Sequence, residues 1–299
     1  MRNPTYSLLA IAVVAMARSS DKDNNPASSD VLGSPGDQRV LTGDFIIGSQ
    51  AELDSLQAQM GSASTIITGD LTIEEAGDII DLSALAGLTR VGGDLEILSN
   101  DILLSLNGLQ DLTTVTGFLS IGSNANLTDI DSLANLRRIG AFLSLGFNSS
   151  LTDIDGLAGL TDVGEVGVQI FLNPVLENVD GLSGLMTISD LDLFSNPKLV
   201  SLAGLGNLTR ITRWALEIRD NDALATLDGL EKFVHIERHL EISDNPVLAS
   251  IDALGGLDRV GETIIISNNT SLDAGAVQRV VDSLVAGGFE GEITVQGNK

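Results

Sequence analysis

Asp192, Glu217 and Glu241 recur 25 and 24 residues apart, with Arg219 two positions beyond Glu217 and Trp214 three before it. If the chain repeats with that period, the three carboxylates stack on neighbouring rungs ~5 Å apart, where like charges repel and something must compensate. Arg219, a bound cation such as Ca²⁺, or a basic partner would each do so. Paired carboxylates at that spacing beside an aromatic residue also suit retaining glycoside hydrolysis, which would centre on Glu217 and Glu241. Acids in a chain of net charge −25 ordinarily belong to solvated surface, so the reading assigns no catalytic residue, no metal and no cofactor.

Other chemistries find less support in the residues. His235 and His239 bracket a turn and a strand and do not share a helix face as zinc ligands would. The pairs Asp129/Asp131 and Asp153/Asp155 lack the full Asp-x-Asp-x-Asp-Gly…Glu calcium loop, which assigns them to helix capping. Gly204-Leu-Gly206 lacks the third glycine of a dinucleotide fingerprint, and no Gly-x-Ser-x-Gly or phosphate-binding loop occurs. With no cysteine, disulfides, thiolate metal sites and a cysteine nucleophile are excluded. An excess of 41 acidic over 16 basic residues repels phosphate backbones, which excludes nucleic acid. Seven of the sixteen basic residues lie between Lys198 and Arg259, where they serve salt-bridged rungs or an acidic docking partner.

The elements that must position these residues are written in a repeat. Val91-Gly-Gly-Asp-Leu95-Glu-Ile97-Leu-Ser-Asn100 is followed by Leu103, Leu106, Leu109 and Leu112, and the pattern returns at Val115 and Ile139 after steps of 24 residues. Further units begin near Val163, Ile188, Ile211, Ile236 and Val260, and a weaker first one at Ile67. Each Leu-x-Ile alternates with period two, as a strand with one buried face does. Asn100, Asn124, Asn148, Asn173, Asn196, Asn221, Asn245 and Asn269 follow at nearly constant phase. A buried amide both donates and accepts, so stacking turns these residues into a ladder. Next comes Asp-Gly-Leu-x-x-Leu, where the Asp is placed to cap a helical turn. Ser49 to Glu52 reads as a capping box opening one terminal helix. Asp273 reads as the cap of another, with Val277, Val280, Val281, Leu284 and Val285 on its apolar stripe. The fold class is therefore α/β and β-rich: a single-domain, right-handed parallel-β solenoid with helical caps, stacked roughly 40 Å long.

In that register, residues 94, 96 and 98 of a strand face outward. Phe118 and Phe142 fall on one outward column, Phe171 and Phe194 on another, and Trp214 lies near the first. Phe147 lies just past its strand. Five outward rings among ten aromatics exceed what a solenoid requires, and exposed apolar patches mark contact surfaces. Flanking loops covering the rings, or a small-ligand groove, are the alternatives. The expected partner-binding set is thus Phe118, Phe142, Phe171, Phe194, Trp214, Asp192, Glu217, Arg219 and Glu241.

The run Thr42-Gly-Asp-Phe-Ile-Ile-Gly, a helix, Ile67-Thr-Gly-Asp-Leu-Thr-Ile and the repeated Leu-x-Ile-x-x-Asn and Asp-Gly-Leu-x-x-Leu resemble the receptor L-domain family. These are leucine-rich-repeat-like solenoids, including exported bacterial forms, and the resemblance spans about 260 residues. It implies extracellular binding or adhesion. The receptor members carry cysteines and this chain has none, so a signalling function is not part of what it implies.

Residues 1–17 read as a signal peptide: Arg2, an apolar run from Leu8 to Val14, and the small-x-small site Ala15-Met16-Ala17. Residues 18–37 form a polar, disordered linker, and residues 38–299 hold about nine 24-residue repeats. The leader is lipoprotein-like, but Arg18 stands where the acylated cysteine would be, which favours release over anchoring. The apolar run is too short to span a bilayer. The expectation is a secreted or cell-surface, outer-membrane-type binding or adhesion protein, not an enzyme, that recognises a protein or glycan partner through its outward sheet face. A structural envelope or matrix component without a specific ligand is the alternative, and a carbohydrate-active enzyme a more distant one.

Overall fold

Alternating apolar residues bury one strand face only if neighbouring rungs align them, and they do. In the computed structural model, which describes residues 38–299, Leu71, Leu95, Leu119 and Leu143 stand side by side, as do Ile73, Ile97, Ile121 and Leu145. Eleven parallel strands, from Phe45–Ile47 to Glu292–Gln296, follow sequence order in one sheet, a stack about 48 Å long at ~4.8 Å per step. Shorter parallel strands, each a few residues ahead of a long-sheet strand, form a six-stranded and a four-stranded sheet. The leucines and isoleucines of every rung merge into one continuous core. This is a parallel-β solenoid. The expected signal peptide, residues 1–17, and linker, residues 18–37, lie outside the described residues.

The asparagine ladder runs through the whole stack. The backbone N–H of Asn124 donates to Oδ1 of Asn148 at 3.2 Å, and the same link joins each ladder asparagine to the next rung. Each amide nitrogen also donates to the strand one rung back, as Asn148 Nδ2 does to the Ile121 carbonyl at 3.0 Å. Asn298 adds a further step that the repeat pattern did not reveal, accepting from the Asn269 backbone at 3.1 Å. Ahead of each ladder asparagine the chain turns through one residue with positive φ: Ser99, Ser123, Phe147, Leu172, Ser195, Asp220, Asp244 and Asn268.

One expectation about the caps needs correction. Single 3-10 turns such as Asp155–Leu157 and Asp180–Leu182 do follow the strands, with leucines buried. The first aspartate of each turn is not its cap, however. The oxygen comes from two residues earlier: Asp155 N–H donates to Asp153 Oδ1 at 3.3 Å and Asp180 N–H to Asn178 Oδ1 at 2.9 Å. Ser201, Thr226 and Ser250 fill the same place in later rungs. A short side chain that bonds the backbone two residues on makes an Asx or Ser/Thr turn, and this accounts for the Asp-x-Asp pairs. The glycine that follows is steric: a Cβ on Gly181 would sit 1.8 Å from the Ile154 carbonyl oxygen of the rung below.

Both terminal helices are present. Gln50–Met60 is capped by Ser49, whose partner Glu52 accepts from the Gly48 N–H at 2.7 Å. Ala274–Ala286 is capped by Asp273, which accepts from the Ala276 N–H at 2.9 Å. Of its expected stripe, Val277, Val281 and Leu284 are buried, Val280 is partly so, and Val285 is exposed because the helix turns it past the core. Asp273→Ala should cost about 1 kcal/mol. Denaturation that starts earlier at the C-terminal rungs, read by hydrogen exchange, would show it; unchanged exchange there would contradict the cap's role.

Candidate binding face

Three outward columns cross the long sheet. Along the strand starts run Asp44, Asp70, Asp94, Phe118, Phe142, Gly167, Asp190, Ala215 and His239. The middle column reads Ser144, Gln169, Asp192, Glu217, Glu241. Along the strand ends run Gly122, Gly146, Phe171, Phe194, Arg219 and Ser243. The extra residue of the 25-residue unit does not shift this register, because Phe142 aligns with Gly167 and the turn before that strand absorbs the insertion.

The aspartates of the first column form a second ladder, carried in the sequence as a repeated Gly-Asp whose structural role the spacing alone does not mark. Asp70 accepts from the Asp94 N–H at 2.8 Å, Asp94 from Phe118 at 2.7 Å, and Asp190 from Ala215 at 2.8 Å. Each tethers the start of the next strand.

The four expected phenylalanines all project from the outward side, but they fall into separate pairs. Phe118 and Phe142 meet edge-on at the strand starts, centroids 6.2 Å apart. Phe171 and Phe194 stack at the strand ends, centroids 5.1 Å apart and planes 14° apart, and Phe147 meets Phe171 edge-on at 5.2 Å. Four residues of strand, ~13 Å, separate the two groups. Trp214 is held elsewhere, 41% exposed, between the guanidinium groups of Arg213 and Arg238 at 5.8 and 4.9 Å from its ring.

Exposure corrects the expectation for two rings. Phe142 is 7% and Phe171 5% exposed. Alternation fixes which side a ring leaves from, but lateral packing fixes what water reaches. Phe171 lies over Gly146, where an added Cβ would stand 2.4 Å from the ring, and Phe147 and Phe194 close it from the sides. Beside this aromatic floor, the exposed apolar surface comes from two residues the pattern did not single out as contacts. Phe147 and Leu172, on adjacent rungs, are 44% and 38% exposed, both with positive φ. Other rungs place Ser, Asp, Asn or Glu there. Bulky side chains rarely adopt this backbone, and their presence on a surface is a functional signal. It was legible at these two rungs, where the residue before the ladder asparagine is apolar.

Asp192, Glu217 and Arg219 form one compact cluster. Asp192 is 8% exposed, so it is no solvated surface acid. Arg219 donates to both its carboxylate oxygens at 3.0 and 3.1 Å, pairs with Glu217 at 2.8 Å, and lies 5.0 Å from the Phe194 ring centre. Gln169 Nε2 donates to Asp192 at 3.1 Å. Glu241 completes the column, accepting from the Ser243 hydroxyl at 2.8 Å. Burial, followed by the neighbouring carboxylates of Asp192, Glu241 and Asp190, pushes the Glu217 carboxyl up to about 7 against the pull of Arg219. Burial pushes Asp190 to about 7 as well, opposed by its bond from Ala215. Arg219 stays firmly charged: burial opposes the charge, but Asp192, Glu217 and Glu241 outweigh it.

Two hollows of about 400 and 480 Å³ lie among the described residues, and neither is lined by Glu217 or Glu241. Among the described residues no group of three or more His, Asp or Glu is arranged to hold a metal ion. Nor does any described helix have the length and apolarity to cross a membrane.

Residues 65–152 match the family model described as Receptor L domain. This stretch is receptor L-domain-like. No curated protein matches the chain. The receptor L domain is a ligand-binding domain. Its matched residues include Phe118, Phe142 and Phe147, while the Phe171–Phe194–Arg219 cluster stands beyond them on rungs of the same L-domain-like form.

Proposed function

We propose that the chain is an exported binding protein that engages a macromolecular partner at the cell surface through the outward face of its long sheet. The observation that carries this reading is the pair Phe147 and Leu172, bulky apolar residues held exposed at a turn that elsewhere takes polar ones. The buried Phe171 ring and the half-buried Phe194 ring stacked on it form a rigid floor beside them. Rigid aromatic surface near a charged rim is what concentrates binding energy in protein interfaces. A purely structural envelope role gives no reason for these two side chains. The signal-like leader and polar tether in the sequence support export.

The double variant Phe147→Ser/Leu172→Ser tests this. Arrays of extracellular proteins and of glycans, probed with the wild-type chain, should yield a partner whose affinity the variant lowers at least tenfold. Its melting temperature should stay within a few degrees of wild type, since both side chains are exposed. Undiminished binding by the variant would refute the sheet-face reading.

A further inference from the structure

The outward face has an unbalanced charge beside its apolar ledge, and that combination specifies a partner. Four carboxylates, Asp190, Asp192, Glu217 and Glu241, share one guanidinium. Arg219 is occupied by Asp192 and Glu217, at 2.8 to 3.1 Å. Glu241 receives the Ser243 hydroxyl and lies in register with Glu217. The other charged groups on the packed strands do not relieve it. His239, the nearest basic side chain on Glu241's own strand, is turned toward Glu262 at 3.5 Å. The strands Gly167–Phe171 and Thr263–Ser267 contribute no charged side chain.

The spacing of the two features is that of an extended peptide. Outward side chains on one strand stand ~7 Å apart, and rungs ~4.8 Å. Glu217 is a diagonal neighbour of Phe194, whose far side continues into Leu172 and Phe147. Glu217 and Leu172 are two rungs and about three strand positions apart, ~14 Å, which is about the distance between residues i and i+4 on one face of an extended segment. A neutral glycan would leave the carboxylates uncompensated, and an acidic one would be repelled.

Resting on the sheet-face reading above, we infer that this site takes an extended protein segment carrying a lysine or arginine about four residues from a large apolar side chain, the cation on Glu217 and Glu241 and the apolar group on Leu172 between Phe147 and Phe194.

A display library of random twelve-residue peptides, selected on the immobilised chain at pH 7.5, tests the inference without a known partner. Enrichment of peptides with Lys or Arg about four residues from an aliphatic or aromatic residue is expected. Their affinity should fall about tenfold in Glu241→Gln, fall further in Glu217→Gln/Glu241→Gln, and weaken with added salt. Selection of non-basic peptides, no enrichment at all, or enriched peptides indifferent to Glu241→Gln would each overturn it. The two readings separate cleanly. If Phe147→Ser/Leu172→Ser abolishes binding but the glutamine variants do not, the sheet face stands and the cationic specificity falls. If neither matters, both fall. Folding of every variant is verified by its circular dichroism spectrum and melting temperature.

Discussion

Asn173→Ala should destabilise the protein by roughly 3–5 kcal/mol, measured by chemical denaturation. The amide is fully buried and makes five hydrogen bonds that nothing else can replace. Its Oδ1 accepts from the Asn148 backbone at 3.1 Å and from Asn148 Nδ2 at 3.4 Å. Its Nδ2 donates to the carbonyls of Leu145 and Phe171 at 3.1 Å each, and to Asn196 Oδ1 at 3.3 Å. Alanine leaves a backbone N–H and at least one carbonyl unpaired in the core, each costing about 1–3 kcal/mol, and opens a cavity too tight to rehydrate well. Asn173→Asp tests the same point differently, since it keeps the shape and the acceptor but loses the donor and buries a charge. Because rungs touch only their neighbours, the damage should also divide the stack, giving a broadened or two-step transition. Asn298→Ala is the control: at the half-buried last step, where water can reach the freed groups, about 1 kcal/mol is expected. A loss below 1 kcal/mol for Asn173→Ala would mean that the ladder marks the repeat without holding it.

The ladder was readable in the sequence because its two requirements, constant phase and an amide, are both visible in one dimension. The same holds for the Leu-x-Ile rungs, where alternation with period two sets inside and outside and leaves no competing register. What stayed hidden were choices made between rungs. Asp153 and Asp155 are equally good caps on paper, and only the backbone angles of the turn decide that Asp153 accepts while Asp155 donates its N–H. Phe171 leaves the sheet on the outward side as expected, yet its exposure depends on Gly146 one rung away lacking a side chain, and on a left-handed turn bringing Phe147 alongside. The acids were found as a column, but that Asp192 would be buried and Glu217 only partly so depends on where the Arg219 side chain folds back. Of the candidate site, its members were legible and its shape was not.

Arg219 and Glu217 should move stability in opposite directions, and both effects should depend on pH. Arg219→Met removes the only cation among four carboxylates and leaves Asp192 buried without its partner, a loss of about 3–5 kcal/mol near pH 8. Glu217→Gln removes one acid from an over-acidic site and should instead stabilise the protein at that pH. The sign follows from the protons. Glu217 and Asp190 sit at about 7 in the folded chain, above their ordinary values of 4.5 and 3.8, so between those limits the folded state holds protons that the unfolded state has released. Their stabilising contribution is complete below the unfolded values and is lost as pH rises through about 7. For Glu217 alone that is on the order of 3 kcal/mol across the window. The wild type should therefore be more stable at pH 5.5 than at pH 8, with Arg219→Met steeper and Glu217→Gln shallower. Net charge adds a slope of the same sign, so the comparison between variants, not the wild-type slope, is decisive. A Glu217→Gln chain that is less stable than wild type at pH 8, or equally pH-dependent, would show that Arg219 already balances the site. If the imbalance is real, a bound cationic segment supplies the missing charge. Such a ligand should protect the fold most at pH 8, where the free protein is weakest, and lose affinity toward pH 5.5 as Glu217 takes up its proton.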